Sequence, residues 1–108
     1  PLFVRLSDGG IRNAYTYKIL NMQRRAKTFV LRIGGIEDAK LRVIGFASEW
    51  TNEARLPVKP DAVGTFRVLV RADREKLDGK SSKLTLAVED ESTGTVHNYG
   101  SVFSGPAR

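Results

Sequence analysis

The chain has 108 residues, enough for one domain, and its 41% hydrophobic and 28% charged residues mark it as globular rather than disordered. It has no cysteine, which excludes disulfides, thiolate metal sites, iron–sulfur ligation and a cysteine nucleophile, and leaves the redox compartment open. Its net charge of +6 is scattered along the chain, with Arg24, Arg25 and Lys27 the densest run; no basic helix or aromatic-interleaved stripe points to nucleic acid. Such a surface is ordinarily a solubilising one, and contact with acidic lipid headgroups or an acidic partner is the alternative.

The dominant hydrophobic period is two. Leu2 to Leu6 reads as a first short strand, closed by the turn Ser7-Asp8-Gly9-Gly10. Tyr15, Tyr17 and Ile19 then alternate with polar residues, and a polar connection runs from Asn21 to Lys27. Phe29, Leu31 and Ile33 form the next alternating run, ended by Gly34-Gly35, and Leu41 to Phe46 reads as a fourth strand. Leu56-Pro57-Val58-Lys59-Pro60 is expected to be an extended link, because each proline pushes its predecessor away from helix. Phe66, Val68 and Val70 mark another strand, and residues 72–77 fit one helical turn. After the turn Asp78-Gly79-Lys80, Leu84, Leu86 and Val88 alternate again. Glu91-Ser92-Thr93-Gly94 is a hairpin loop with glycine at its left-handed position, and a last strand runs from Thr95 to Phe103.

These runs predict an all-β chain, an antiparallel sandwich of about seven strands in one domain over residues 1–108. No apolar run approaches the ~20 residues of a membrane helix. The lone Trp50 has no cysteine pair around it, so the core must rest on aliphatic and aromatic packing. Burying Phe29, Leu31, Phe66, Val68, Leu84 or Leu86 would each contribute about 1.5–3 kcal/mol.

Chemistry is sparse. The only histidine, His97, lies in the last strand, and Ser101 and Ser104 nearby form no nucleophile elbow, so no catalytic residue is expected. His97 and Met22 are the weak candidates for a metal site, too few for a copper ligand set by themselves. Glu37-Asp38 and Glu89-Asp90-Glu91 read as solvated acids at turns. Gly9-Gly10 and Gly34-Gly35 lack the Lys-Ser/Thr and helix of a phosphate loop.

The opening Pro1-Leu2-Phe3-Val4, Leu6-Ser7-Asp8-Gly9, Ile11-Arg12-Asn13, Tyr15, Tyr17, Lys18 and Asn21-Met22 resemble the start of the C-terminal immunoglobulin-like domain of the FixG/CcoG family. Thr28-Phe29, Pro57-Val58-Lys59-Pro60, Phe66-Arg67-Val68, Val88-Glu89-Asp90, Tyr99 and Phe103-Ser104-Gly105-Pro106 extend the resemblance along the chain. It implies an immunoglobulin-like, Greek-key sandwich in which Ser7, Asp8, Gly9, Arg12, Asn13, Tyr17, Phe29, Phe66, Gly105 and Pro106 determine the fold. Arg12 and Asn13 are expected to brace the first turn by hydrogen bonds.

The resemblance also implies a parent protein of the bacterial inner membrane, an accessory to cbb-type cytochrome c oxidase that carries two 4Fe–4S clusters and takes part in copper and redox maturation. Pro1 would then lie just after a membrane segment, with this domain on the periplasmic side and without cofactor of its own. The expected partners are oxidase subunits or a copper-delivery protein, with a monomer or weak dimer as the oligomeric state and docking as the role. A copper-handling domain built on His97 and Met22 is the alternative. A fibronectin-like adhesion or carbohydrate-binding module using Trp50 and Tyr99 is a further one.

Overall fold

The computed structural model describes residues 2–107; Pro1, read above as a boundary, lies outside them, as does Arg108. Eight strands form two four-stranded antiparallel sheets. They are β1 (Val4–Arg5), β2 (Ile11–Asn21), β3 (Lys27–Gly34), β4 (Lys40–Val43), β5 (Glu53–Val58), β6 (Ala62–Ala72), β7 (Ser81–Asp90) and β8 (Val96–Ser104). The first sheet runs β1-β2-β6-β4 and the second β5-β3-β7-β8. The chain changes sheet at every connection from β2–β3 to β6–β7, the crossing pattern of a Greek-key sandwich; only the first and last hairpins stay within a sheet.

The alternating runs account for the core. Phe66, Val68 and Val70 of β6 face Leu31, Leu56, Leu84 and Leu86 of the other sheet, and all are buried. Phe103 and Ile11 are wholly shielded from water. Each such side chain removes apolar area from water at about 25 cal/mol per Å².

The proline-punctuated link is in part a strand. Glu53–Val58 pairs with β3 in the register Lys27↔Val58 to Arg32↔Glu53, with Leu56 and Val58 in the core. Pro57 is compatible because β5 is an edge strand, where the missing N–H faces no neighbour. The fourth strand ends at Val43, earlier than the alternation to Phe46 suggests. Gly45 takes φ +88°, Phe46 N–H bonds Val43 O at 3.1 Å, and the Phe46 ring folds onto Phe66 at 5.6 Å. The helical turn is a three-residue 3-10 turn, Arg74–Lys76, while Ala72 ends β6.

The turn Ser7-Asp8-Gly9 is a three-residue hairpin loop: Leu6 N–H bonds Gly10 O at 2.8 Å, Gly9 N–H bonds Leu6 O at 3.0 Å, and Gly9 sits at φ +90°. Asp8 accepts from Gly10 N–H at 2.9 Å and from Arg71 Nη1 at 2.8 Å. The brace of this turn is therefore Arg71 of β6, not Arg12 and Asn13. Arg12 carries a buried Nε without a partner. Asn13 reaches across to the other sheet: its Nδ2 donates to Ser104 O and its Oδ1 accepts from Ser104 N–H, both at 2.8 Å. The reason is direction. Asn13 is 5% exposed and shares the inner face of β2 with Ile11 and Tyr15, so its amide cannot turn back to the outer loop.

Replacing Asn13 with alanine removes both bonds and leaves the Ser104 main chain unpaired at the sheet seam. The expected loss is about 1–3 kcal/mol, read as a lower thermal midpoint together with faster hydrogen exchange at the Ser104 amide than at the β6 amides. An unchanged midpoint would show that this clasp is dispensable.

Candidate functional site

Main-chain direction defines the most distinctive region. In an antiparallel ladder alternate residues turn their N–H and C=O to the neighbour, and the residues between turn them away. Asp90 N–H bonds Thr95 O at 2.9 Å and Gly105 N–H bonds Lys80 O at 3.0 Å, at the two ends of the β7–β8 ladder. The odd-numbered residues of β8 thus serve β7, and Val96, Asn98, Gly100, Val102 and Ser104 point their main chain outward. Side chains of β2 occupy the upper two of these: Asn13 takes Ser104, and Tyr15 Oη donates to Val102 O at 2.7 Å. Val96, Asn98 and Gly100 have no such cover and are exposed.

Below Tyr15 the two sheets part. The gap is a groove of about 750 Å³, lined on one side by Tyr17, Ile19 and Leu20 of β2, on the other by His97, Tyr99 and Ser101 of β8, with Phe29, Leu31, Leu86 and Val88 as floor. Its size is that of a small-ligand or side-chain pocket. Tyr15 and Tyr17 stack at 5.8 Å with 13° between planes. Burial raises the pKa of both phenols, that of Tyr17 to about 12. Tyr17 Oη is buried without a hydrogen-bond partner of good geometry, and the Ser101 hydroxyl is its polar neighbour.

The lower rim is fixed by charge. Lys27 Nζ meets Asp90 Oδ2 at 2.6 Å, and Asp90 also accepts from Ser92 N–H and Oγ–H at 3.0 and 2.7 Å. Lys27 first and Ser92 second hold the Asp90 carboxyl down to about 2. Glu91 N–H bonds Thr28 O at 3.1 Å, tying the β7–β8 hairpin to β3. The remaining acids of this hairpin are also paired, Glu89 with Arg32 at 2.8 Å and Glu91 with Arg55 at 2.6 Å.

The candidate metal ligands do not share a site. His97 lines the groove; Met22 lies on the β2–β3 connection, 75% exposed, and is not a groove residue. Among the described residues no group of three or more His, Cys, Asp or Glu side chains is placed to hold a metal ion. Trp50 is not an open platform: the guanidinium groups of Arg42 and Arg71 lie 5.3 and 6.0 Å from its ring centroid. Of the residues read as fold-determining, Ser7, Asp8 and Gly9 form the first turn, Phe29 and Tyr17 meet at the groove, and Phe66 is core. Gly105 closes on Lys80 O, and a Cβ there would lie 2.8 Å from Leu77 Cδ1; Pro106 is buried beside it.

Asn21, which the alternation marks only as the end of a strand run, is 1% exposed and organises the β2–β3 connection. Its Nδ2 donates to Arg25 O, Lys59 O and Val58 O at 2.8, 3.1 and 3.3 Å, and its Oδ1 accepts from Gln23 N–H at 3.0 Å. An asparagine closing an alternating run before a polar loop is the sequence signal for such a turn.

The profile of the family described as the IG-like fold at the C-terminal of FixG matches residues 1–106. The chain belongs to this family. Nitrogen fixation protein FixG of Rhizobium meliloti (strain 1021) is 33% identical over 106 residues, covering 98% of this chain and 20% of that protein. Protein RdxA of Cereibacter sphaeroides is 32% identical over 92 residues, covering 83% of this chain and 19% of that protein. The chain thus spans about a fifth of the length of these curated relatives. The crystal structure of a FixG-related protein from Vibrio parahaemolyticus matches with a TM-score of 0.73 over 90% of this chain and 81% of that one; at 21% identity this shows a shared fold. No helix of the FixG-family domain is long and apolar enough, among the described residues, to cross a membrane.

The Asp90–Lys27 pair gives the domain a pH dependence of defined sign. A carboxyl with a lowered folded pKa stabilises the fold above its ordinary value of 3.8, and that contribution is lost as pH falls from there towards about 2. Thermal midpoints should therefore drop through this window, and Asp90→Asn should flatten part of the drop while lowering the midpoint at pH 7. Identical pH profiles for the two proteins would remove the pair from the account.

Proposed function

We propose that this FixG-family domain is a non-catalytic docking module on the periplasmic side of a bacterial inner membrane. Its parent would be an iron–sulfur protein that serves the assembly of a cbb-type cytochrome oxidase, through copper and redox maturation. The clusters and membrane segments of that parent would lie in the part of the protein outside this domain. Oxidase subunits or a copper-delivery protein would be the partners, met by a monomeric or weakly dimeric domain.

The observation that carries the reading is the groove. A sandwich with a closed core elsewhere leaves inner-face apolar side chains uncovered along one seam, between two strands with unpaired main chain. That arrangement suits the reception of another chain better than it suits chemistry, since its polar side chains are one histidine, a lysine, a paired aspartate and hydroxyls. The family's own attachment to a protein about five times longer supports a service role for this domain.

Deleting the domain from the full-length protein tests the reading. The expected result is normal accumulation of the truncated protein with loss of assembled oxidase, measured by haem staining and oxygen uptake in membranes. Full oxidase assembly at normal protein level would overturn it.

A further inference from the structure

The lower half of β8 is an edge without the usual protection. Natural edge strands are kept from pairing with other chains by shortness, proline, bulges or charge. The other edges use these devices: β5 carries Pro57 with Glu53 and Arg55, β4 has four residues, and β1 has two. Beyond Arg12 the β2 edge also lacks a neighbour, because β1 pairs only with Ile11 and Arg12, but that edge carries Lys18. β8 has nine residues, no proline, no lysine, arginine or carboxylate, and exposed Val96 and Tyr99.

Direction then fixes what could pair there. The open main-chain groups of Val96, Asn98 and Gly100 lie two residues apart, the spacing of one ladder partner. The side chains of His97 and Tyr99 face the groove, so an added strand would send its alternate side chains into the same groove, over Tyr17, Ile19 and Val88. The charge of the seam fixes the rest. Asp90, Glu89 and Glu91 are neutralised by Lys27, Arg32 and Arg55. Lys18 at the groove and Lys83, whose Cα partner on β8 is Val102, enter no ion pair among the described residues, and the chain carries +6. Two copies of so basic a chain repel, whereas an acidic segment is drawn in.

We propose that residues 96–100 of β8 accept an extended peptide segment of a protein partner as an additional strand, its apolar side chains filling the inter-sheet groove and its acidic ones on the opposite face, drawn by the basic charge of the chain. This deepens the docking reading and rests on it for the biological setting. Main-chain hydrogen bonds to the edge supply the affinity, and the groove selects alternate apolar residues.

The test uses a synthetic peptide of about ten residues, a typical strand length, in which valine and leucine alternate with aspartate and threonine, and a second peptide with lysine in place of aspartate. Amide hydrogen exchange of the 108-residue chain is followed residue by residue. At a peptide concentration ten times Kd, the amides of Val96, Asn98 and Gly100 should slow about tenfold, while His97 and Tyr99, already bonded to β7, change little. The aspartate peptide should bind more tightly than the lysine one, with the gap closing at high salt. Asn98→Pro removes only an outward-facing N–H and should abolish the protection. The exchange data on the unsubstituted chain decide the matter even if that variant does not fold. No protection at these amides overturns the proposal. So does protection at Ala14, Thr16, Lys18 and Leu20 of β2, equal binding of both peptides, or peptide-free self-association that Asn98→Pro abolishes. In the full-length protein, an assembly defect on deleting the domain with none for Asn98→Pro overturns the strand site and leaves docking standing. No defect on deletion overturns docking and leaves the peptide experiment to decide the strand site.

Discussion

The seam between the two sheets depends on the Asn13 side chain. Its amide offers one donor and one acceptor at the same spacing as a backbone unit, and Ser104 takes both at 2.8 Å. In effect one side chain of β2 serves as the missing neighbour of β8. Tyr15 adds a second stitch at Val102 O, one outward residue further along. A buried amide paired on both its nitrogen and its oxygen costs less to desolvate than a bare one, whereas an edge strand brought against a second sheet without such partners would bury unpaired main chain. The stitching stops at Tyr15 because the next inward residues of β2, Tyr17 and Ile19, have no donor that reaches an outward group of β8. The groove begins where the hydrogen bonds end.

Much of this architecture is legible in the sequence because period-two alternation records which face of a strand meets the core. Phe66, Val68 and Val70, or Leu84 and Leu86, can be buried together only in a strand, and they are. β5 is harder to read because proline opposes strands in general and is allowed only at an edge, and edge position is a property of the assembled sheet. The site is harder still. Asn13, Asn21 and Arg71 act through partners 91, 37 and 63 residues away along the chain. No local pattern records such distances, so asparagine near a turn reads as part of that turn. The resemblance of the opening stretch to the FixG family singles out Asn13 without revealing what it holds.

The chain's membership of the FixG family adds a division of labour. Residues that carry the resemblance to the family, from the first turn through Asn13 and Tyr17 and again at Gly105 and Pro106, shape the seam and the turns that hold it. Arg71 of β6 holds the first turn through Asp8, lies 3.8 Å from Asp73 and covers Trp50, so one guanidinium touches three connections that leave the strands of the first sheet. These contacts build a rigid frame without cysteine or metal, which a domain of this length can do on burial alone.

Rigidity matters for the open edge itself. The stretch from Val96 to Gly100 is fixed at both ends, above by the Asn13 and Tyr15 stitches and below by the hairpin that Asp90–Lys27 and the Glu91–Thr28 bond fasten to β3. Its inner flank is already hydrogen-bonded to β7 through Tyr99↔Leu86 and His97↔Val88. A strand arriving there orders only itself, since the receiving residues have already lost their conformational freedom on folding. Tyr17 strengthens the point from the inside. Its hydroxyl is buried without a well-placed partner, a cost the fold carries at the mouth of the groove. A main-chain carbonyl entering with an added strand is the kind of group that would relieve it. The edge, the groove and the unpaired phenol thus lie on one seam and favour the same occupant.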